Sequence, residues 1–135
     1  ENLALQFGYQ EYLIRCELWK ATLLATDNLE TNEKKIIDLY SSAIKKAVMT
    51  DPHILRTSLA SIMSNIERLY NDGQQTEVIH IGRKISSQAK ERMTMNQDLD
   101  IEILRGWIKN LEYHISEWDV LSKTLKPRRK KSNQG

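Results

Sequence analysis

Residues 50–73 read TDPHILRTSLASIMSNIERLYNDG, and this stretch decides the fold class. Both ends of a helix are written into it. Thr50-Asp51-Pro52 places a polar cap before a proline, and a proline in the first turn sacrifices no helical hydrogen bond. Leu55, Leu59, Ile62, Ile66 and Leu69 then recur at steps of four and three, which puts them on one helical face. Asn71-Asp72-Gly73 closes the run, with Gly73 suited to the left-handed backbone past a helix C-terminus. The spacing predicts a short piece from Pro52 bending into a helix that ends near Tyr70.

The same grammar extends both ways. Upstream, Tyr9, Tyr12, Leu13, Cys16, Trp19 and Leu23 share a face, and a first helix is expected over about 7–24. Thr26-Asp27-Asn28 interrupts it, because such side chains bond their own backbone and favour turns. Thr31 or Asn32 is the expected cap of a second helix to about Val48, with the stripe Ile36, Tyr40, Ala43, Ile44 and Ala47. Downstream, Val78, Ile81, Ile85 and Ala89 mark a helix over about 75–93. Ile101, Leu104, Ile108, Leu111, Ile115 and Trp118 mark a last one over about 99–125, which Pro127 is expected to stop. The expected fold is all-α: a compact right-handed bundle of five to six helices with no sheet and a long C-terminal helix. The last stripe resembles a coiled-coil seam. It reads first as packing onto the bundle, and alternatively as the seam of a homodimer or multi-helix complex.

A chain of 135 residues, 40% apolar and 28% charged, can bury one core without disulfides or metal. No run is long and apolar enough to read as a membrane span. The single cysteine, Cys16, is expected as a buried structural thiol, and cysteine poverty fits a reducing compartment, cytosol or nucleus. Glu1 in place of Met predicts a fragment of a longer protein, with no secretory signal at the start. The net charge of +2 is uneven. Lys123, Lys126, Arg128, Arg129, Lys130 and Lys131 crowd the C-terminus, and the remainder is slightly acidic. The expected division is a helical interaction domain over 1–125 and a basic, disordered tail over 126–135. Lys126, Arg128, Arg129, Lys130 and Lys131 are candidates for nuclear localisation or weak phosphate contact.

No catalytic constellation emerges. His53, His80 and His114 do not pair with one another or with Cys16 at metal-ligand spacing on one helix face, and there is no phosphate-cradling glycine loop or nucleophile elbow. His80, beside Val78 and Ile81, reads as a satisfied structural histidine. The expectation is a non-enzyme without metal or cofactor. Trp19 reads as core. Trp107, beside the last stripe, reads as core or amphipathic cover, with an exposed interaction anchor as the alternative.

One element goes further. A helix ending Lys20-Ala21-Thr22-Leu23-Leu24 is followed by Thr26-Asp27-Asn28-Leu29-Glu30-Thr31-Asn32, then by a helix like Ile36 to Ala47, a helix ending Ile66-Glu67-Arg68-Leu69, and a Val78-Ile79 pair opening the next. In this order, residues 12–93 resemble the integrase-binding domain of lens-epithelium-derived growth factor and the hepatoma-derived growth-factor-related proteins. That fold is similar to the N-terminal domain of transcription elongation factor IIS. There the corresponding loop carries Asp-Asn-Leu-Asp-Val-Asn.

The resemblance implies a nuclear, chromatin-associated adaptor that tethers a client by binding its short, disordered, acidic, Phe-containing segment between two interhelical loops. Carried over by position, the first loop offers Thr26, Asp27 and Asn28, with Leu24 and Leu29 lining the pocket. The second offers Leu69, Tyr70 and Asn71, and Val78 and Ile79 would back it. Two departures bear on the client. Ser64-Asn65-Ile66-Glu67-Arg68 lacks the basic cluster of the member that binds viral integrase, and the second loop is longer, through Gly73 and Gln74. A monomer without membrane contact is expected.

Overall fold

The computed structural model describes residues 2–95 and 101–134, with side chains over 5–93 and 102–124. All described elements are helical: α1 (Asn2–Ala47), α2 (Pro52–Asn71), α3 (Gln75–Met95) and α4 (Ile101–Gln134). The described residues thus form a bundle of four helical elements, the first of them kinked, where five to six helices were expected. No described helix is long and apolar enough to cross a membrane.

The difference in count lies in α1. Its only non-helical residue is Asn28, at φ −161° and ψ 102°. The chain reverses there. Glu17 Oε2 accepts from Ser42 Oγ at 2.5 Å and from Lys46 Nζ at 3.0 Å. Twenty-nine residues of straight helix would hold Glu17 and Lys46 roughly 43 Å apart. The element is therefore a hairpin of two arms, 2–27 and 29–47, hinged on one residue. The cap is Asn28 itself, not Thr31 or Asn32: its Oδ1 accepts from Thr31 N–H at 2.9 Å, one of the first-turn donors that lack a helical partner. Asn32, nearly buried, instead donates from Nδ2 to the Leu24 carbonyl at 3.0 Å across the hinge. Thr22 and Thr26 bond the Leu18 and Thr22 carbonyls, so the helix survives almost to the hinge.

α2 starts and ends where its sequence says. Asp51 Oδ1 accepts from Ile54 N–H at 2.8 Å, Pro52 opens the helix, and Gly73 takes φ +98°, a backbone that side chains with a Cβ avoid. The helix is continuous from Pro52, without the expected bend.

The stripes of the C arm, α2, α3 and α4 all converge in one core. α4 packs along α3 and α2, and its seam residues Leu104, Ile108, Leu111, Ile115 and Trp118 are buried there. Trp107 is buried too, and its indole N–H donates to the Leu59 carbonyl at 2.9 Å. The helix continues through Pro127 to Gln134, past the predicted stop. Proline removes one backbone bond, but its fixed φ is itself helical. The side chains of Lys126, Arg128, Arg129, Lys130 and Lys131 lie outside the described set.

The N arm corrects three expectations. The face packed inward is Ile14, Leu18, Ala21 and Ala25, not the stripe of Tyr9, Tyr12, Cys16, Trp19 and Leu23. Trp19 is 69% exposed, and Cys16 is exposed rather than a buried thiol. Both stripes have helical spacing. The one with Ala21 and Ala25 wins because small side chains let the arm approach its neighbours closely, where Tyr and Trp would hold it off.

Candidate peptide-binding cleft

The hinge of α1 and the α2–α3 turn come together around a cavity of roughly 300 Å³. Thr22, Ala25 and Thr26 line it from the N arm, and Tyr40 from the C arm. Asn65, Arg68 and Leu69 enter from the end of α2, with Asp72 and Gln74 from the turn. The turn is held by Asp72 N–H to the Arg68 carbonyl at 2.9 Å, Gly73 N–H to Tyr70 at 3.1 Å and Gln74 N–H to Leu69 at 3.3 Å.

A chain of polar side chains ties the walls. Arg68 Nη2 donates to Asn65 Oδ1 at 3.1 Å. Asn65 Nδ2 approaches Thr22 Oγ1 at 3.4 Å, and Thr22 donates on to the Leu18 carbonyl at 3.0 Å. Within these walls the Tyr40 ring is fully buried, and its hydroxyl makes no geometrically complete hydrogen bond among the described residues. Burial pushes that hydroxyl up to about 12, while the Asn65 amide and the Arg68 charge pull the other way. Both of those groups line the cavity, which places the Tyr40 hydroxyl on its side of the core.

The residues predicted from the sequence divide into three groups, with Tyr70 apart from them. Thr26 and Leu69 line the cavity. Asp27, Asn28 and Asn71 are exposed on the two turns, and Leu24 is half-buried beside the hinge. Asp27 has no hydrogen bond or ion pair among the described residues; the capping role belongs to Asn28. Leu29, Val78 and Ile79 are buried in the core and line no cleft surface. Tyr70 is half-buried and stacks on Trp118, with centroids 4.4 Å apart and planes 15° from parallel. Its ring is already occupied by α4, a helix that the resemblance does not cover.

Tyr40, Asn65 and Arg68 were not singled out by sequence reasoning. One signal was present: Tyr40 puts a hydroxyl in the middle of an apolar stripe, and a buried phenol needs a polar partner. Chemically the cleft offers a buried hydroxyl, a guanidinium and an amide, with the Leu69 wall beside them, and Asp27 follows the lining Thr26 in the chain. That set suits a short backbone segment with one apolar side chain, and the volume is at the small end for ligand sites.

No family model, curated protein or solved structure matches the chain.

Proposed function

We propose that the chain is a non-catalytic adaptor domain of a chromatin-associated nuclear protein. It binds a short, disordered, acidic, Phe-containing segment of a client at the cleft between the Asn28 hinge and the α2–α3 turn. The observation that supports this reading best is the convergence of those two turns around one polar-walled cavity, lined by Thr26, with the exposed Asp27 next to it in the chain. Asp27 accepts backbone N–H groups of the segment, a charge-assisted bond. The phenylalanine packs on Leu69, where full burial is worth ~2–3 kcal/mol. The acidic residue of the segment has Arg68 as its counter-charge. Hot-spot anchoring of this kind gives micromolar affinity from a small interface.

The alternative, a homodimer or multi-helix module built through the last helix, is less favoured because the seam from Leu104 to Trp118 is buried within the bundle.

The test is a titration of Phe-containing acidic peptides against wild type, Asp27→Asn, Leu69→Ala and Arg68→Gln, with thermal melts alongside. Asp27→Asn is expected to weaken binding by ~1.5–3 kcal/mol without lowering the melt. Leu69→Ala is expected to cost ~1–2 kcal/mol of binding. Unchanged affinity in all three variants removes this cleft as the binding site.

A further inference from the structure

The N arm of α1 carries a second apolar stripe that faces away from the bundle. Leu5, Tyr9, Tyr12, Trp19 and Leu23 are 72, 62, 62, 69 and 52% exposed, and the exposed Cys16 lies between Tyr12 and Trp19. Their steps of four and three, alternating from residue 5 to residue 23, are those of a helix–helix seam. Singly exposed apolar residues are ordinary, but a continuous row rich in Tyr and Trp marks an interaction surface. The arm does not need this row to fold, because Ile14, Leu18, Ala21 and Ala25 already hold it to the bundle.

The charges beside the row select its occupant. Arg15 and Lys20 occupy the positions that flank the seam. Lys45 and Lys46 rise beside Tyr9 across a shallow cleft that also holds Phe7 and the exposed Met49. Glu11 compensates Arg15 at 3.1 Å and Glu17 compensates Lys46 at 3.0 Å, which leaves the charges of Lys20 and Lys45 uncompensated by these two carboxylates. The border is therefore positive. A second copy of the chain would set Arg15 against Lys20 in a parallel pair, and Arg15 against its own counterpart in an antiparallel one. Like charges at flanking positions disfavour both.

We propose that this stripe docks an amphipathic helix of a partner protein, apolar on its seam and acidic along its flanks. The surface lies on the outer face of the arm and is distinct from the cleft at Asn28.

The probes are two synthetic three-heptad peptides with leucine at the seam positions, one flanked by glutamate and one by lysine. The glutamate peptide is expected to bind and to shield Cys16 from a thiol reagent. The lysine peptide is expected to bind at least about tenfold more weakly. Trp19→Glu and Tyr12→Glu are each expected to reduce glutamate-peptide binding roughly tenfold or more. Their melts should stay unchanged, since both side chains are exposed. Asp27→Asn should leave this binding intact, which separates it from the cleft. Equal binding of both peptides, binding that survives Trp19→Glu, or no binding of the glutamate peptide would overturn the proposal. So would a dimer in sedimentation that Trp19→Glu dissolves, because the face would then belong to a second copy.

Discussion

The ring of Tyr70, at the end of α2, lies almost flat on the indole of Trp118 in α4, 4.4 Å between centroids, and His114 stacks on the other partner of that pair at 5.6 Å. This stack locks the long C-terminal helix against the turn that also forms one lip of the cleft. Trp118→Ala should cost ~3 kcal/mol in urea unfolding, at the low end for a buried tryptophan. Tyr70→Ala, at a half-buried site, should cost ~1–2 kcal/mol. A double-mutant cycle should return a coupling of ~0.5–1.5 kcal/mol. Strict additivity of the two losses would contradict the stack. Because the ring is engaged by α4, Tyr70→Ala should act more on stability than on peptide affinity.

Gly82 sets how closely α3 and α4 approach. A Cβ there would lie 2.7 Å from Ile115 Cδ1 and 3.1 Å from its Cγ1. Ile115 is itself buried and β-branched, so it has little freedom to move aside. Alanine gains ~1 kcal/mol of helix propensity over glycine, but overpacking costs ~1–3 kcal/mol. Gly82→Ala should therefore lower stability by ~1 kcal/mol. In an Ile115→Val background, which removes Cδ1, the same change should be neutral or stabilising. Equal effects in both backgrounds would contradict this packing.

Asn28 and Asp27 are neighbours with opposite expected behaviour. Asn28→Ala removes the cap on Thr31 and should cost ~1 kcal/mol of stability. Asp27→Asn removes no contact made within the described structure and should leave the melting temperature in place. A lowered melt for Asp27→Asn alone would transfer the structural role to the aspartate.

Tyr40 predicts a loss of stability in alkali. Its hydroxyl is raised from 10.0 to about 12 by burial. The folded chain thus keeps a proton that the unfolded chain gives up, and stability falls as pH rises from 10 towards 12, by about 2–3 kcal/mol in all. Tyr40→Phe should flatten that dependence, and should melt no lower than wild type because it deletes a buried hydroxyl that makes no geometrically complete hydrogen bond among the described residues. A strongly destabilised Tyr40→Phe would mean the hydroxyl has a partner in the fold.

At acid pH the docking of α3 and α4 should weaken. Lys90, bonded to Glu112, holds its carboxyl below the usual 4.5, with Ser86 assisting against burial. Lys123 and then Arg83 hold Asp119 below its usual 3.8. Both are depressed carboxylates, so their contribution is present above the ordinary values and is lost as pH falls below them. Both carboxylates are half-buried and still reached by solvent, so the effect is modest and salt-screened. Melts between pH 5 and pH 3 should fall less steeply for Glu112→Gln than for wild type, and the difference should shrink in high salt.

Local grammar was legible wherever the deciding partners are close in sequence. The Asp51 cap, Pro52 and Gly73 act within three or four residues of α2, and the stripes read for the C arm, α2, α3 and α4 are the faces that pack inward. The hinge was legible as a break but not as a single residue, because the side chains that keep the helix intact up to Asp27 are threonines, whose local bonds support a helix as readily as a turn. The tertiary structure alone decided three things. It chose between two equally periodic faces of the N arm, since periodicity measures spacing while packing measures size, and only Ala21 and Ala25 allow close approach. It brought Tyr40, Asn65 and Arg68 to one cavity, although they lie on two elements and carry no shared motif. And it laid Trp118 on Tyr70 across 48 residues of chain, a contact set by where α4 docks and written in neither residue's neighbourhood.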